Sequence, residues 1–178
     1  FGLIKLVFCR VTSCFPCPSL SPLPTTCLSS TNNSLFRPAT VDLIEIARIA
    51  VADLAPLAIA AGYEISFDGD EMPAEREGDS SALRRAIDNL IRNAIDHGGG
   101  RGTITVSALA DGEISVSDEG PGIPADHQEL VFEPFYRVVP NSRGAGLGLS
   151  LVKQIAEKHG GCVSIESGSV GAKVTMRL

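Results

Sequence analysis

Three groups of residues in this chain have the types and spacing to handle a phosphate-bearing ligand. Gly144, Gly146 and Gly148 alternate directly before Leu149, Leu151, Val152, Ile155 and Ala156, an apolar set at helical spacing. A glycine loop feeding a helix N-terminus turns backbone N–H groups and the positive end of the helix dipole towards an anion. Asn89 and Asn93 stand four apart on one face of a second helical run, with Asp96 beside them and His97 at their edge. Asparagine is a mediocre helix former, and its amide oxygen suits a Mg²⁺ already held mainly by phosphates and water. Asp118 closes a strand-like run and is followed by Gly120 and Gly122, so a carboxylate and an approachable backbone together could take the exocyclic amine of a base.

Taken singly, each group is more often something plainer: a mobile connector, a solvated helix face, a D-x-G-x-G turn. Together and in this order they point to a nucleotide. Two familiar phosphate loops are excluded, because GAGLG lacks the Gly-Lys-Ser/Thr ending of a P-loop and the spacing of a dinucleotide fingerprint. The composition adds exclusions of its own. A net charge of −6 without a basic stripe argues against nucleic acid as a partner. No stretch approaches the ~20 apolar residues of a membrane span, so no membrane contact is expected from this chain itself.

The elements that must position these residues follow from periodicity. Asp42 is the expected N-cap of a helix ending at Gly62, with Leu43, Ile46, Ala47, Ala50, Leu54 and Leu57 as its apolar stripe and Pro56 a late kink. Tyr63–Phe67 alternates as a strand, and an acidic loop, DGDEMPAEREGD, follows. The asparagine helix runs from about Ser80 to His97 and buries Leu83, Ile87, Leu90, Ile91 and Ala94. TITVSALA and EISVSD form a hairpin through Asp111-Gly112. After the glycine loop and its helix, which Gly160 stops, CVSIES and AKVTMRL close the chain. The order predicts an α/β two-layer sandwich, one mixed β-sheet covered by about three helices. Residues 1–36 are Pro-, Ser- and Cys-rich with little charge, and are expected to be a disordered or non-native leader before a domain over 37–178. Cys14-x-x-Cys17 within it is too irregularly partnered to argue for zinc.

DNLIRNAIDH, DEGPG, FEPFYR at 132–137 and GAGLGLS resemble, in this order, the N box, first glycine box, F box and second glycine box of one family. That family is the ATP-binding catalytic domain of bacterial sensor histidine kinases, within the superfamily of gyrase, Hsp90 and MutL. The resemblance covers about residues 37–178 and implies the left-handed ATP-binding sandwich. It implies that Asn93 ligates Mg²⁺, that Asn89 assists at the phosphates and that Asp118 bonds the adenine amino group. Gly120 and Gly122 would line the base. Phe132 and Phe135 would anchor one end of a lid, and Arg137 would approach the phosphates. Gly144, Gly146 and Gly148 would close over them, with Asp96, His97, Ile123, Leu147 and Leu149 completing the nucleotide-binding set. By the same resemblance ATP and Mg²⁺ are the cofactors, and the partners are a histidine-bearing dimerisation domain and a response regulator on the cytoplasmic side.

The chain departs from that pattern twice. The family usually has Lys or Arg where this chain has Asp96, so phosphate neutralisation falls to Arg92, Arg137 or Arg143. His97, His127 and His159 lack the acid-Arg-Pro sequel of a phosphoacceptor, so transfer is expected to a histidine on another segment. Members that hydrolyse ATP resemble one another in a Glu four residues before the metal-binding Asn. Here that position is Asn89, which is no general base at neutral pH. Phosphoryl transfer is therefore the first expectation. An anti-sigma-type serine kinase and a degenerate module that binds nucleotide without chemistry are the alternatives.

Overall fold

The sheet that carries the site runs in the order β2-β4-β5-β7-β6, from Tyr63–Gly69, Gly102–Ala108, Glu113–Asp118, Ala172–Arg177 and Cys162–Ser167. Only β2 and β4 are parallel, and every other neighbour is antiparallel. The architecture comes from a computed structural model, which describes residues 39–139, 145–168 and 170–178. The described residues belong to one compact unit. The expected leader over 1–36, with its cysteines, lies outside them, as do Gly144 and Arg143.

Three helices cover the sheet: α1 (Leu43–Ala60), α2 (Ser80–His97) and α3 (Gly148–Lys158). Alternation along the strands sends Ile104, Val106, Ile114, Val116, Val174 and Met176 into a single core shared with the buried faces of all three. The mixed two-layer α/β sandwich expected from the sequence is what forms. Asp42 caps α1 as predicted, its Oδ1 accepting the Ile44 N–H at 3.0 Å, and it also holds the Ala74 N–H at 3.1 Å. Gly62 ends the helix at φ 91°, a conformation that favours glycine.

The α1 stripe is a correction. Ile44 and Ala58 are buried, whereas Ile46 lies at the flank and Leu57 is 41% exposed. The buried line of the helix runs through Leu43, Ile44, Ala47, Ala50, Leu54 and Ala58. Pro56 sits inside α1 without ending it. A second correction concerns the acidic loop, which contains β3 (Glu75–Gly78) paired antiparallel with β1 (Ala39–Asp42). Both strands are four residues long, too short for a pattern to stand out; a Thr40 hydroxyl to Glu77 bond of 2.9 Å joins them.

Side chains lock the helices to one another. Arg84 on α2 reaches Asp53 of α1 at 2.7 Å and Asp88 at 2.8 Å, and these bonds, Asp53 first, raise its pKa above the ordinary arginine value. His159 donates from Nδ1 to the Ile155 carbonyl at 2.7 Å and accepts the Asp79 N–H at Nε2, 3.0 Å away. Both nitrogens thus serve the joint between the end of α3 and the start of α2. This histidine has a structural task, consistent with its lack of a phosphoacceptor sequence.

Candidate functional site

Helix α2 starts at Asp79, whose Oδ1 accepts the N–H groups of Ser81 and Ala82 at 2.9 and 3.1 Å. Its predicted core residues, Leu83, Ile87, Leu90, Ile91 and Ala94, are all buried. That rotation leaves Asn89 and Asn93 half-buried on the other side. Asn89 donates Nδ2 to the Arg85 carbonyl at 2.7 Å, which directs its Oδ1 outwards. A Cβ on Gly148, the first residue of α3, would lie 3.6 Å from that oxygen. Asparagine carboxamides and the α3 N-terminus therefore face each other.

Helix α3 begins differently from its neighbours. α1 and α2 carry aspartate caps, but Leu147 at the start of α3 offers no side-chain bond. Its first N–H groups are left for another acceptor. The loop before it is pinned at its roots: the Phe135 N–H donates to the Gly146 carbonyl at 2.8 Å. Gly146 has φ 71°, and a Cβ there would sit 2.8 Å from the backbone of Phe135 and Tyr136. Glycine is required here twice over. Phe135 itself has φ 66° and is 72% exposed, and its backbone N–H makes the bond to Gly146.

Asp118 is half-buried at the end of β5, with Oδ1 accepting the Gly120 N–H at 2.8 Å. Gly98 and Gly120 pack backbone to backbone beside it: a Cβ on Gly120 would be 2.6 Å from the Gly98 Cα. Gly98 also backs onto the Tyr63 hydroxyl, which accepts the Gly100 N–H at 2.6 Å. The loop is clamped from the far side by the β6–β7 hairpin. The Gly171 N–H donates to the Gly120 carbonyl at 2.7 Å, and the Ile123 N–H to the Ser167 hydroxyl at 2.7 Å. Gly122, at φ 73°, lies too close to the Gly168 carbonyl for any side chain.

A cleft opens between these elements. Of the residues named from sequence, Asn93, His97, Gly122, Ile123, Arg137, Gly146, Gly148 and Leu149 line it. Asn89, Asp96, Asp118, Gly120, Phe132 and Leu147 do not form its wall. Asp96 is exposed, Phe132 packs against the core, and Asp118 and Gly120 directly precede the lining residue Pro121 in the chain. Pro121, Val131, Tyr136, Val138 and Val139 join the wall unannounced. Their signal was present: the Tyr-Arg-Val-Val run is too apolar for a loop that faces only water. Arg137 brings positive charge to an otherwise largely apolar lining.

The sequence profile described as histidine kinase-, DNA gyrase B- and HSP90-like ATPase matches residues 78–178, more than half the chain. The chain belongs to this family. It is 37% identical over 145 residues to the alginate biosynthesis sensor protein KinB of Pseudomonas aeruginosa, across 79% of this chain and 24% of KinB. The fold matches the nucleotide-free catalytic domain of the histidine kinase ThkA with TM-score 0.71 and 25% identity, over 80% of this chain and 97% of that one. It also matches full-length ShkA, solved with AMPPNP, with TM-score 0.67 and 28% identity over 78% of this chain and 30% of ShkA. The chain spans about a quarter of the length of the sensor kinases it matches. No helix among the described residues is long and apolar enough to cross a membrane.

Proposed function

We propose that this histidine kinase-like ATPase domain binds Mg-ATP and donates the γ-phosphate to a histidine on a separate dimerisation segment, from which a response regulator is charged on the cytoplasmic side. One observation carries the reading: Gly148 and Leu149, at the uncapped N-terminus of α3, line the same cleft as Asn93. Asp118 would accept the adenine amino group, with Gly120, Gly122, Ile123 and His97 around the base. Arg137, the Gly144–Gly148 segment and the first N–H groups of α3 would hold the phosphates.

The donor set fits a phosphate-held Mg²⁺. Among the described residues no group of three His, Cys, Asp or Glu side chains could hold a metal by itself. Asn93 offers a hard amide oxygen inside the cleft, and Asn89 offers a second one facing Gly148. When bound with the phosphates, the ion supplies charge neutralisation for transfer. Asn93 would ligate it and Asn89 would assist. Asn89 has no proton affinity to activate water, and its amino group is committed to Arg85, which favours transfer over hydrolysis. The exposed position of Asp96 outside the cleft wall favours a working site over a degenerate one.

Calorimetric titration with a non-hydrolysable ATP analogue, with and without Mg²⁺, tests the reading. Saturable one-site binding that strengthens with Mg²⁺ is expected; a folded sample that binds nothing under either condition refutes it. Asp96→Lys is expected to tighten binding only about two- to fivefold at low salt, because an exposed charge is screened by solvent. The gain should fade as salt is raised, and an equal gain at all ionic strengths would mean that residue 96 touches the phosphates directly.

A further inference from the structure

His127 has no part in the set described so far, yet it touches the cleft wall through one bond. Its backbone is tied down on both sides, the N–H to the Pro124 carbonyl at 2.9 Å and the carbonyl to the Val131 N–H at 3.0 Å. Its Nδ1 is hydrogen-bonded to the Tyr136 hydroxyl, and the two rings lie 5.9 Å apart, tilted by 39°. Its Nε2 is 3.8 Å from the Asp126 carboxylate. A phenol can donate or accept, so the bond to Tyr136 forms with either neutral tautomer of His127, and at 3.8 Å Asp126 is a neighbouring charge and not a hydrogen-bond partner.

Tyr136 is the wall residue of this trio; neither Asp126 nor His127 lines the cleft. Tyr136 is held at two points. Its backbone is held by the N–H, which donates to the Glu133 carbonyl at 3.2 Å, and its ring tip is held by His127. Without the second point the ring is free to turn about its χ angles, and a wall that moves loses the shape a planar ligand needs.

We propose that His127 is a positioning residue for the nucleotide, acting through the Tyr136 hydroxyl to fix that ring as part of the cleft wall. The inference rests on the ATP-binding reading above. The test is titration of the full chain and its variants with a non-hydrolysable ATP analogue and Mg²⁺. His127→Phe and Tyr136→Phe should each weaken binding about three- to tenfold, the worth of one hydrogen bond. The double variant should lose no more than the worse single one, because both changes remove the same bond. His127→Asn, which keeps an acceptor near the Nδ1 position, should restore most of the affinity. Melting temperatures should stay close to the parent's, since the His127 side chain is 32% exposed. Tyr136→Phe removes a single oxygen and keeps the test valid if His127→Phe folds poorly. Unchanged affinity in both single variants, additive losses in the double variant, or no recovery with His127→Asn would overturn the proposal. A parent chain that binds nothing would overturn the nucleotide reading itself, and this inference with it.

Discussion

Asp118→Ala is expected to weaken binding of an ATP analogue ten- to a hundredfold, the equivalent of ~1.5–3 kcal/mol for a hydrogen bond to a charged group. The carboxylate is half-buried, and only Oδ1 is engaged, by the Gly120 N–H at 2.8 Å. Oδ2 has no partner among the described residues and, on the proposed reading, would be the acceptor for the base. Asp118→Asn separates the two tasks, since it keeps an oxygen for Gly120 and removes the charge. That variant should bind ATP more weakly and discriminate less against GTP, whose ring carries a carbonyl where adenine has an amine. Titration of both variants with both nucleotides reads the result. Asp118 is not among the residues that line the cleft, so unchanged ATP affinity in Asp118→Ala would mean that the base stops at Pro121 and Ile123.

The second large effect concerns stability, away from the cleft. Gly161→Ala should cost ~3 kcal/mol, the upper end for overpacking, and lower the melting temperature on the order of 10 °C. A Cβ at Gly161 would lie 2.0 Å from the Arg177 carbonyl oxygen and 2.9 Å from Leu178. The obstructing atom is backbone in the register partner of Cys162, so β6 and β7 would have to part at their first rung. Gly160, next in the chain, has nothing within 4 Å of its Cβ position, although its φ of 77° favours glycine. Thermal unfolding followed by circular dichroism decides; a drop of a degree or two in Gly161→Ala would show that the hairpin shifts at little cost.

These two residues illustrate what the sequence discloses. Gly160 reads as a helix stop because the periodic run ends there, a local signal, and α3 does end at Lys158. Gly161 carries no such mark, for its constraint comes from a carbonyl sixteen residues further on. The same division holds elsewhere. α2 and the Asp111-Gly112 hairpin are legible because apolar spacing and turn chemistry act over a few residues. β1 and β3 are not, since strands of four residues are too short to show a period and their pairing joins segments over thirty residues apart. The asparagine face was legible from the helical period. The wall positions of Tyr136, Val138 and Val139 depend on how the loop returns to Gly146, and no periodicity reports that.

The clamp between the β6–β7 hairpin and the loop after Asp118 has a consequence for the order of assembly. Gly171 and Ser167 hold Gly120 and Ile123 through their backbones, and the Gln128 amide bridges the Ile123 and Ser167 carbonyls at 3.0 and 3.3 Å. A chain emerging from the ribosome makes Asn93 and Asp118 well before it makes the residues that fix their neighbours. The loop after Asp118 thus acquires its shape only when the last hairpin docks. If that loop takes the base as proposed, ligand affinity is linked to the docking of this hairpin, and nucleotide would in turn protect the hairpin from opening.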